Sequence, residues 1–205
     1  MTRVMVIVGS ARPGRIGLPI GRWVERELGR FEDVDIDFVD LGELRLPLMD
    51  EPNHPRLRRY THEHTLEWSR RVEAADAFVL VAPEYNHSYS PALKNALDYL
   101  SAEWRRKPVA FVSYGGVSAG TRGVAALKPV LAALGLVHTQ ATVEINFPGN
   151  LLEGEVFGAT ESLQTRLDGA LEELLELADG LAPLRSAGLD GHGIGVRQRA
   201  RVPVA

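Results

Sequence analysis

A chain of 205 residues that is 45% hydrophobic has room for one domain with a sizeable core, and this composition excludes a disordered protein. The formal charge of −4 argues against a general nucleic-acid binder, and no apolar run approaches the roughly 20 residues of a membrane helix. With no cysteine there is no disulfide, no thiolate nucleophile and no thiolate metal site, and a cytoplasmic protein is expected.

Residues 4–8 (VMVIV) are apolar without a break, which suits a strand buried on both faces. The run is too short for a signal peptide and leads straight into a loop. That loop carries Gly9, Ser10, Arg12, Pro13, Gly14 and Arg15. A helical pattern follows at Ile20, Trp23, Val24, Leu28 and Phe31. Strand, tight loop and helix N-terminus can make an anion site, because free backbone N–H groups and the helix dipole converge there. Ser10, Arg12 and Arg15 add donors and charge, although such a turn can also serve packing alone. The loop lacks the Gly-Lys-Ser/Thr ending of a P-loop and is not G-x-G-x-x-G. It reads as a holder of phosphate, with no nucleophile for phosphate chemistry.

Residues 34–39 (VDIDFV) alternate apolar and acidic, as expected of a strand near a sheet edge, packed on one face and partly wet on the other. Residues 40–60 are irregular, with Pro47, Pro52 and Pro55 opposing regular structure. A loop of this length reads as a functional flap, and its apolar part, residues 46–49, packs either over a ligand or onto the body. Residues 61–75 read as a helix. His54, His62 and His64 invite a metal reading, but His62 and His64, two positions apart, point roughly opposite ways on a helix, so a solvated face and no metal site is the expectation.

Residues 76–82 form the next buried strand, and 91–100 a helix opened by Pro91. Residues 109–113 are a fourth strand, ending in a glycine-rich turn over 114–120. The helix that follows, to Leu134, contains Pro129, which should kink it, and Gly135 stops it. Residues 137–145 read as a fifth strand with an interruption, and 160–181 as the last helix. From Pro183 the composition changes to glycines at 188, 191, 193 and 195 and arginines at 197, 199 and 201. The division expected is a domain of residues 1–182 and a tail of 183–205, a loosely ordered arm or one lying on a neighbouring subunit.

Strands alternating with helices predict an α/β three-layer sandwich with a five-stranded parallel sheet in the order 2-1-3-4-5. In that order ligands sit beyond the carboxyl ends of strands one and three. The loop after the third strand crowds Glu84, Tyr85, Asn86, His87, Ser88, Tyr89 and Ser90 at that point. It could hold a planar, hydrogen-bonding ring while the first loop holds its phosphate. The turn Tyr114-Gly115-Gly116 borders the same crevice, where glycine lets backbone N–H groups approach a ligand closely.

Three motifs, Gly9-Ser10-x-Arg12-x-x-Arg15, Pro83-Glu84-Tyr85-Asn86-x-Ser88 and Leu93-Lys94-Asn95-Ala96-x-Asp98, together resemble the NADPH-dependent FMN reductase family over about residues 1–180. The resemblance implies a flavodoxin-like fold and an enzyme that takes hydride from NADPH, or NADH, onto bound FMN. Electrons then pass to a small-molecule acceptor, a quinone, flavin, azo compound or similar, in a homodimer or homotetramer. By the same resemblance Ser10, Arg12, Arg15 and the backbone of Ile16 and Gly17 bind the FMN phosphate. Pro83, Glu84, Tyr85 and Asn86 line the isoalloxazine, with backbone N–H groups on its polar edge, although Tyr85 could equally be packing. Ser113, Tyr114, Gly115 and Gly116 border the ring. Lys94, Asn95 and Asp98 read as structural. No protein acid or base is expected to be catalytic, because the redox chemistry belongs to the cofactor. The competing readings are a flavodoxin-type electron carrier without NAD(P)H oxidation, and a scaffold or sensor whose flavin site is not catalytic.

Overall fold

The computed structural model describes residues 1–186, and the glycines and arginines of the expected arm lie outside the described residues. Strand β1 (Thr2–Val8) is followed by α1 (Gly17–Leu28), β2 (Val34–Asp40) and the single turn α2 (Leu41–Leu44). Next come α3 (Glu63–Ala74), β3 (Ala77–Pro83), α4 (Pro91–Asp98) and β4 (Pro108–Gly115). Then α5 (Thr121–Leu134), β5 (Val137–Asn146), the short strands β6 (Leu152–Glu153) and β7 (Val156–Phe157), and α6 (Glu161–Ser186) complete the described chain. The main sheet has five strands, all parallel, in the order β2-β1-β3-β4-β5.

The unbroken apolar runs have a direct cause. Successive strand residues point to opposite faces, and each face meets a separate helical layer. Met5 and Ile7 of β1, with Phe78 and Leu80 of β3 and Phe111 of β4, pack against Trp68, Leu97 and Trp104. Val4 and Val6, with Val79 and Val81 and with Ala110 and Val112, pack against Trp23, Leu28 and Leu171. At the edge, β2 was expected to wet the acidic residues of 34–39; Asp35 is partly exposed, but Asp37 is buried, as is Asp40 where the strand ends. Arginines reach both buried carboxylates, Arg71 from α3 and Arg15 from the loop after β1.

Several expectations need correcting. His62 precedes α3 with extended backbone (φ −98°, ψ 139°), so the helical spacing argument does not apply to it. The His62 and His64 rings do not point apart; they stack with centroids 5.2 Å apart and both reach Asp50, His64 Nε2 lying 3.0 Å from Asp50 Oδ1. Both are half-buried instead of solvated. Among the described residues no three His, Cys, Asp or Glu side chains are placed to hold a metal ion. Helix α5 is continuous through Pro129, whose missing N–H leaves the Ala125 carbonyl without a helical partner; both residues are exposed, so water can serve it. Gly135 does end that helix, at φ +78°. The interruption of β5 lies where its register against β4 shifts, between Val109 and Phe111. The β6–β7 hairpin was not foreseen. Helix α6 runs on to Ser186 through Pro183, and Arg185 secures its end on Asp76 at 3.0 Å.

The 40–60 segment holds α2 and a single 3-10 turn, Pro55–Leu57, and is irregular elsewhere. Its apolar part divides: Leu46 and Met49 pack onto the core, whereas Leu48 is 85% exposed. Asn95 on α4 holds it from both sides of its amide, accepting from the Met49 N–H at 2.9 Å and donating to the Pro47 carbonyl at 2.7 Å.

Candidate functional site

The loops after β1, β3 and β4 meet at the carboxyl ends of the central strands, and a few contacts hold them there. The Gly9 N–H donates to the Val81 carbonyl at 2.9 Å. A Cβ on Gly9 would stand 3.1 Å from that same oxygen, which is why glycine ends β1. The Ser90 hydroxyl donates to the Gly9 carbonyl and accepts from the Leu93 N–H at 3.1 Å. One serine therefore caps α4 and ties the third loop to the first.

In the first loop Ser10 is buried, and its Oγ lies 2.6 Å from the Tyr85 hydroxyl. The Tyr114 phenol reaches the same place: a Cβ on Gly17 would lie 2.5 Å from its oxygen. Burial holds this phenol well above its usual pKa, with the Tyr85 hydroxyl adding to the shift and Ser10, Arg12 and Arg15 opposing it. Three hydroxyls thus collect beside the start of α1. The helix begins at Ile16 with no side-chain cap, so its first N–H groups are left for another partner.

The two arginines of this loop have different surroundings. Arg15 is 17% exposed at its side chain and is clamped on Asp40: Nε donates to Oδ1 at 3.0 Å and Nη2 to Oδ2. Asp40 also accepts from the Gly42 N–H at 2.8 Å, and the guanidinium lies against Gly42 so closely that a Cβ there would be 2.9 Å from Cζ. Arg12 is exposed and makes no hydrogen bond or ion pair within the described residues.

After β3, the chain makes a tight hairpin. Tyr85 and Ser88 exchange both backbone bonds, at 2.8 and 3.0 Å, and Asn86 and His87 between them have φ of +48° and +68°. Positive φ at both central positions matches the twist of paired strands. The N–H of Glu84 is also used, by the Tyr114 carbonyl at 3.1 Å. The expectation that this stretch offers its N–H groups to a ring is therefore corrected for Glu84 and Tyr85, whose donors are spent inside the protein. Those of Asn86 and His87 make no hydrogen bond within the described residues. Pro83 is buried as the last residue of β3, paired with Tyr114.

The Glu84 side chain turns to α5. Its Oε2 accepts from the Arg122 N–H at 3.2 Å, and Oε1 lies 3.6 Å from Arg122 Nη1. Burial works to raise its pKa, but hydrogen bonds from Ser118 and from the Arg122 and Gly123 N–H groups, with the Arg122 charge, hold it below the usual value. Glu84 therefore caps the start of α5. Ser113 is likewise committed, donating to the Ala119 carbonyl at 2.9 Å and so closing the 114–120 turn. At Gly120 (φ +88°) a Cβ would meet the Tyr114 nitrogen at 2.6 Å. Gly115 accepts from the Phe147 N–H at 2.8 Å, and Gly116 is open apart from the Phe147 ring.

The structure thus brings Ser10, Arg12, Ile16, Gly17, Tyr85 and Tyr114 into one cluster and sets Asn86, Gly115 and Gly116 beside it. Arg15, Glu84 and Ser113 support that cluster from behind. Sequence reasoning placed Ser90 in the third loop but missed its hydrogen bonds to Gly9 and Leu93, and it missed Arg122. Ser-Pro before an apolar helical pattern is a capping signal that could have found the Leu93 bond, whereas nothing local joins Arg122 to the β3 loop.

All three loops fall within residues 2–148, the stretch matched by the family model for NADPH-dependent FMN reductase. The chain belongs to the NADPH-dependent FMN reductase family. It is 44% identical over 121 residues to the NAD(P)H-dependent FMN reductase of Schizosaccharomyces pombe, an alignment covering 58% of this chain and 60% of that protein. The chain thus spans about three-fifths of the length of that family member. It is 31% identical over 168 residues to the FMN-dependent NADPH-azoreductase of Staphylococcus saprophyticus, covering 79% of this chain and 87% of the azoreductase. In structure it is similar to FerB, the flavoenzyme NAD(P)H:(acceptor) oxidoreductase of Paracoccus denitrificans, with a TM-score of 0.68 at 24% identity over 86% of this chain and 98% of FerB. That last likeness is one of fold, and the family fold is the flavodoxin-like order found here.

Proposed function

We propose that this chain is an FMN-dependent oxidoreductase that draws hydride from NAD(P)H and passes electrons to a small quinone, azo or flavin acceptor. The observation that carries the reading, beyond family membership, is the donor cluster at the end of β1. An uncapped helix start, the Ser10, Tyr85 and Tyr114 hydroxyls and Arg12, unpaired among the described residues, suit a phosphate, which accepts several charge-assisted bonds at once. Ser10, Arg12 and the Ile16 and Gly17 backbone would hold that phosphate. Arg15 would act through Asp40, keeping the loop closed behind it. Pro83, Tyr85, Asn86, Tyr114, Gly115 and Gly116 would border the ring, with the Asn86 N–H, unused among the described residues, as a donor to its polar edge.

Bound FMN supplies the hydride chemistry, and the residues of the chain bind and orient it. Donors at the ring's edge favour negative charge there once electrons arrive. No side chain in the cluster is asked to move a proton. We place the protein in the cytoplasm as a homodimer or homotetramer. In support, among the described residues no helix is long and apolar enough to cross a membrane. Leu48, Val117 and Phe147, exposed in the loops after β2, β4 and β5, are apolar surface that a second subunit would cover.

The test is the visible spectrum of purified protein with FMN, before and after anaerobic NADPH. Protein-bound flavin that bleaches is the expected result. Bound flavin that bleaches with dithionite but with neither nicotinamide would make the chain an electron carrier, and no bound flavin would overturn the reading.

A further inference from the structure

We propose that His87 presents a hydrogen-bond donor to the electron acceptor, and that Arg122 selects the tautomer that makes it one; the inference rests on the reductase reading above. His87 stands at the tip of the hairpin after β3, next to Asn86, and is exposed. Its Nε2 lies 3.0 Å from Arg122 Nη1. A guanidinium can only donate, so Nε2 must accept, and the neutral ring carries its proton on Nδ1. Nδ1 makes no hydrogen bond within the described residues. The ring is thereby held by Arg122 in the form that leaves Nδ1–H as its donor.

Charge decides which acceptor suits this donor. Arg122 is answered by Glu84, with Oε1 at 3.6 Å from Nη1 and Oε2 accepting the Arg122 N–H. Guanidinium and carboxylate offset each other, so the hairpin tip offers a neutral donor beside an answered charge. That matches an uncharged carbonyl or azo compound better than an anion. A neutral imidazole polarises a carbonyl oxygen without surrendering its proton. In the two-electron reduction of a quinone, hydride then comes from the reduced cofactor and the proton from solvent, and His87 is unchanged at the end. Arg122 is a positioning residue, acting through the imidazole.

The experiment uses FMN-loaded protein reduced with dithionite and mixed rapidly with 1,4-benzoquinone or with ferricyanide, which takes electrons without forming a bond to hydrogen. His87→Gly removes the ring and suits the positive φ, so the hairpin is not put at risk. The expected result is a roughly tenfold lower rate with benzoquinone, the size of one hydrogen bond, and an unchanged rate with ferricyanide. His87→Gln, which keeps a donor, restores part of the loss. In Arg122→Leu the imidazole ¹⁵N spectrum loses its Nδ1–H preference and only the benzoquinone rate falls. Equal losses with both acceptors, or an unchanged benzoquinone rate in His87→Gly, would overturn the proposal. Because dithionite replaces NADPH, a wild type that NADPH cannot reduce counts against the reductase reading alone and leaves this comparison intact.

Discussion

Two arginines three positions apart in one loop have different work to do, and each predicts a different defect. Arg12 is exposed and unpaired among the described residues, so Arg12→Ala should weaken FMN binding by about one to two powers of ten through one lost charge-assisted contact, with no change in unfolding midpoint. Arg15 is bound to Asp40 at 3.0 Å. Arg15→Ala leaves that buried carboxylate without its cation and should destabilise the fold by about 2–4 kcal/mol. Titration of the flavin spectrum and urea unfolding of the two variants would separate these outcomes. Gly17 is constrained by a neighbour: its Cβ would lie 2.5 Å from the Tyr114 hydroxyl. Gly17→Ala should therefore cost about 1–3 kcal/mol, and much of that should return in Gly17→Ala combined with Tyr114→Phe, which removes the obstructing oxygen. An additive double mutant would show that the clash is relieved elsewhere.

At the scale of elements, the flap depends on α4. The Asn95 amide bonds both the Met49 N–H and the Pro47 carbonyl, and the Tyr99 hydroxyl donates to the same carbonyl at 2.9 Å. Asn95→Ala should leave the sheet intact and speed amide hydrogen exchange of Met49 at least tenfold, since local opening then breaks fewer bonds. Exchange at Met49 no faster than in the wild type would mean that Leu46 and Met49, packed on the core, anchor the flap alone. Within the Leu93-Lys94-Asn95-Ala96-x-Asp98 motif, Asn95 holds the flap and Lys94 pairs with Asp98 on the same helix. The hairpin after β3 makes the complementary point. A cross-turn bond takes the Tyr85 N–H and the Tyr114 carbonyl takes that of Glu84, both donors that the sequence offers to a ring, while among the described residues those of Asn86 and His87 stay unused.

For the whole molecule, stability between pH 8 and 10 should be set by a buried lysine. Lys107 donates to the carbonyls of Val72 and Glu73 at the end of α3, at 2.7 and 3.0 Å. Burial pushes its pKa down from 10.5 to about 8. Between those values the unfolded chain binds a proton that the folded one lacks, so stability rises with pH across that window. Tyr99 opposes the trend higher up: burial and Asp50 push its phenol from 10.0 to about 12. Above pH 10 the unfolded chain releases a proton that the folded one keeps, and stability falls. The wild type should gain in urea midpoint relative to Lys107→Met from pH 8 to 10; parallel curves would show that Lys107 does not titrate with folding. Much of this molecule was legible beforehand. Unbroken apolar runs, helices with a 3.6 period, and prolines and glycines at the boundaries determined the alternation of strands and helices and hence the parallel sheet, because such patterns record local burial along one chain; its order followed from five strands with an anion loop after the first. The division of labour between Arg12 and Arg15, the stacking of His62 on His64, the spent N–H groups of Glu84 and Tyr85, and the Glu84–Arg122–His87 set were decided only by tertiary structure. Each depends on a partner distant in sequence or on a backbone angle at a single residue, and neither leaves a periodic trace.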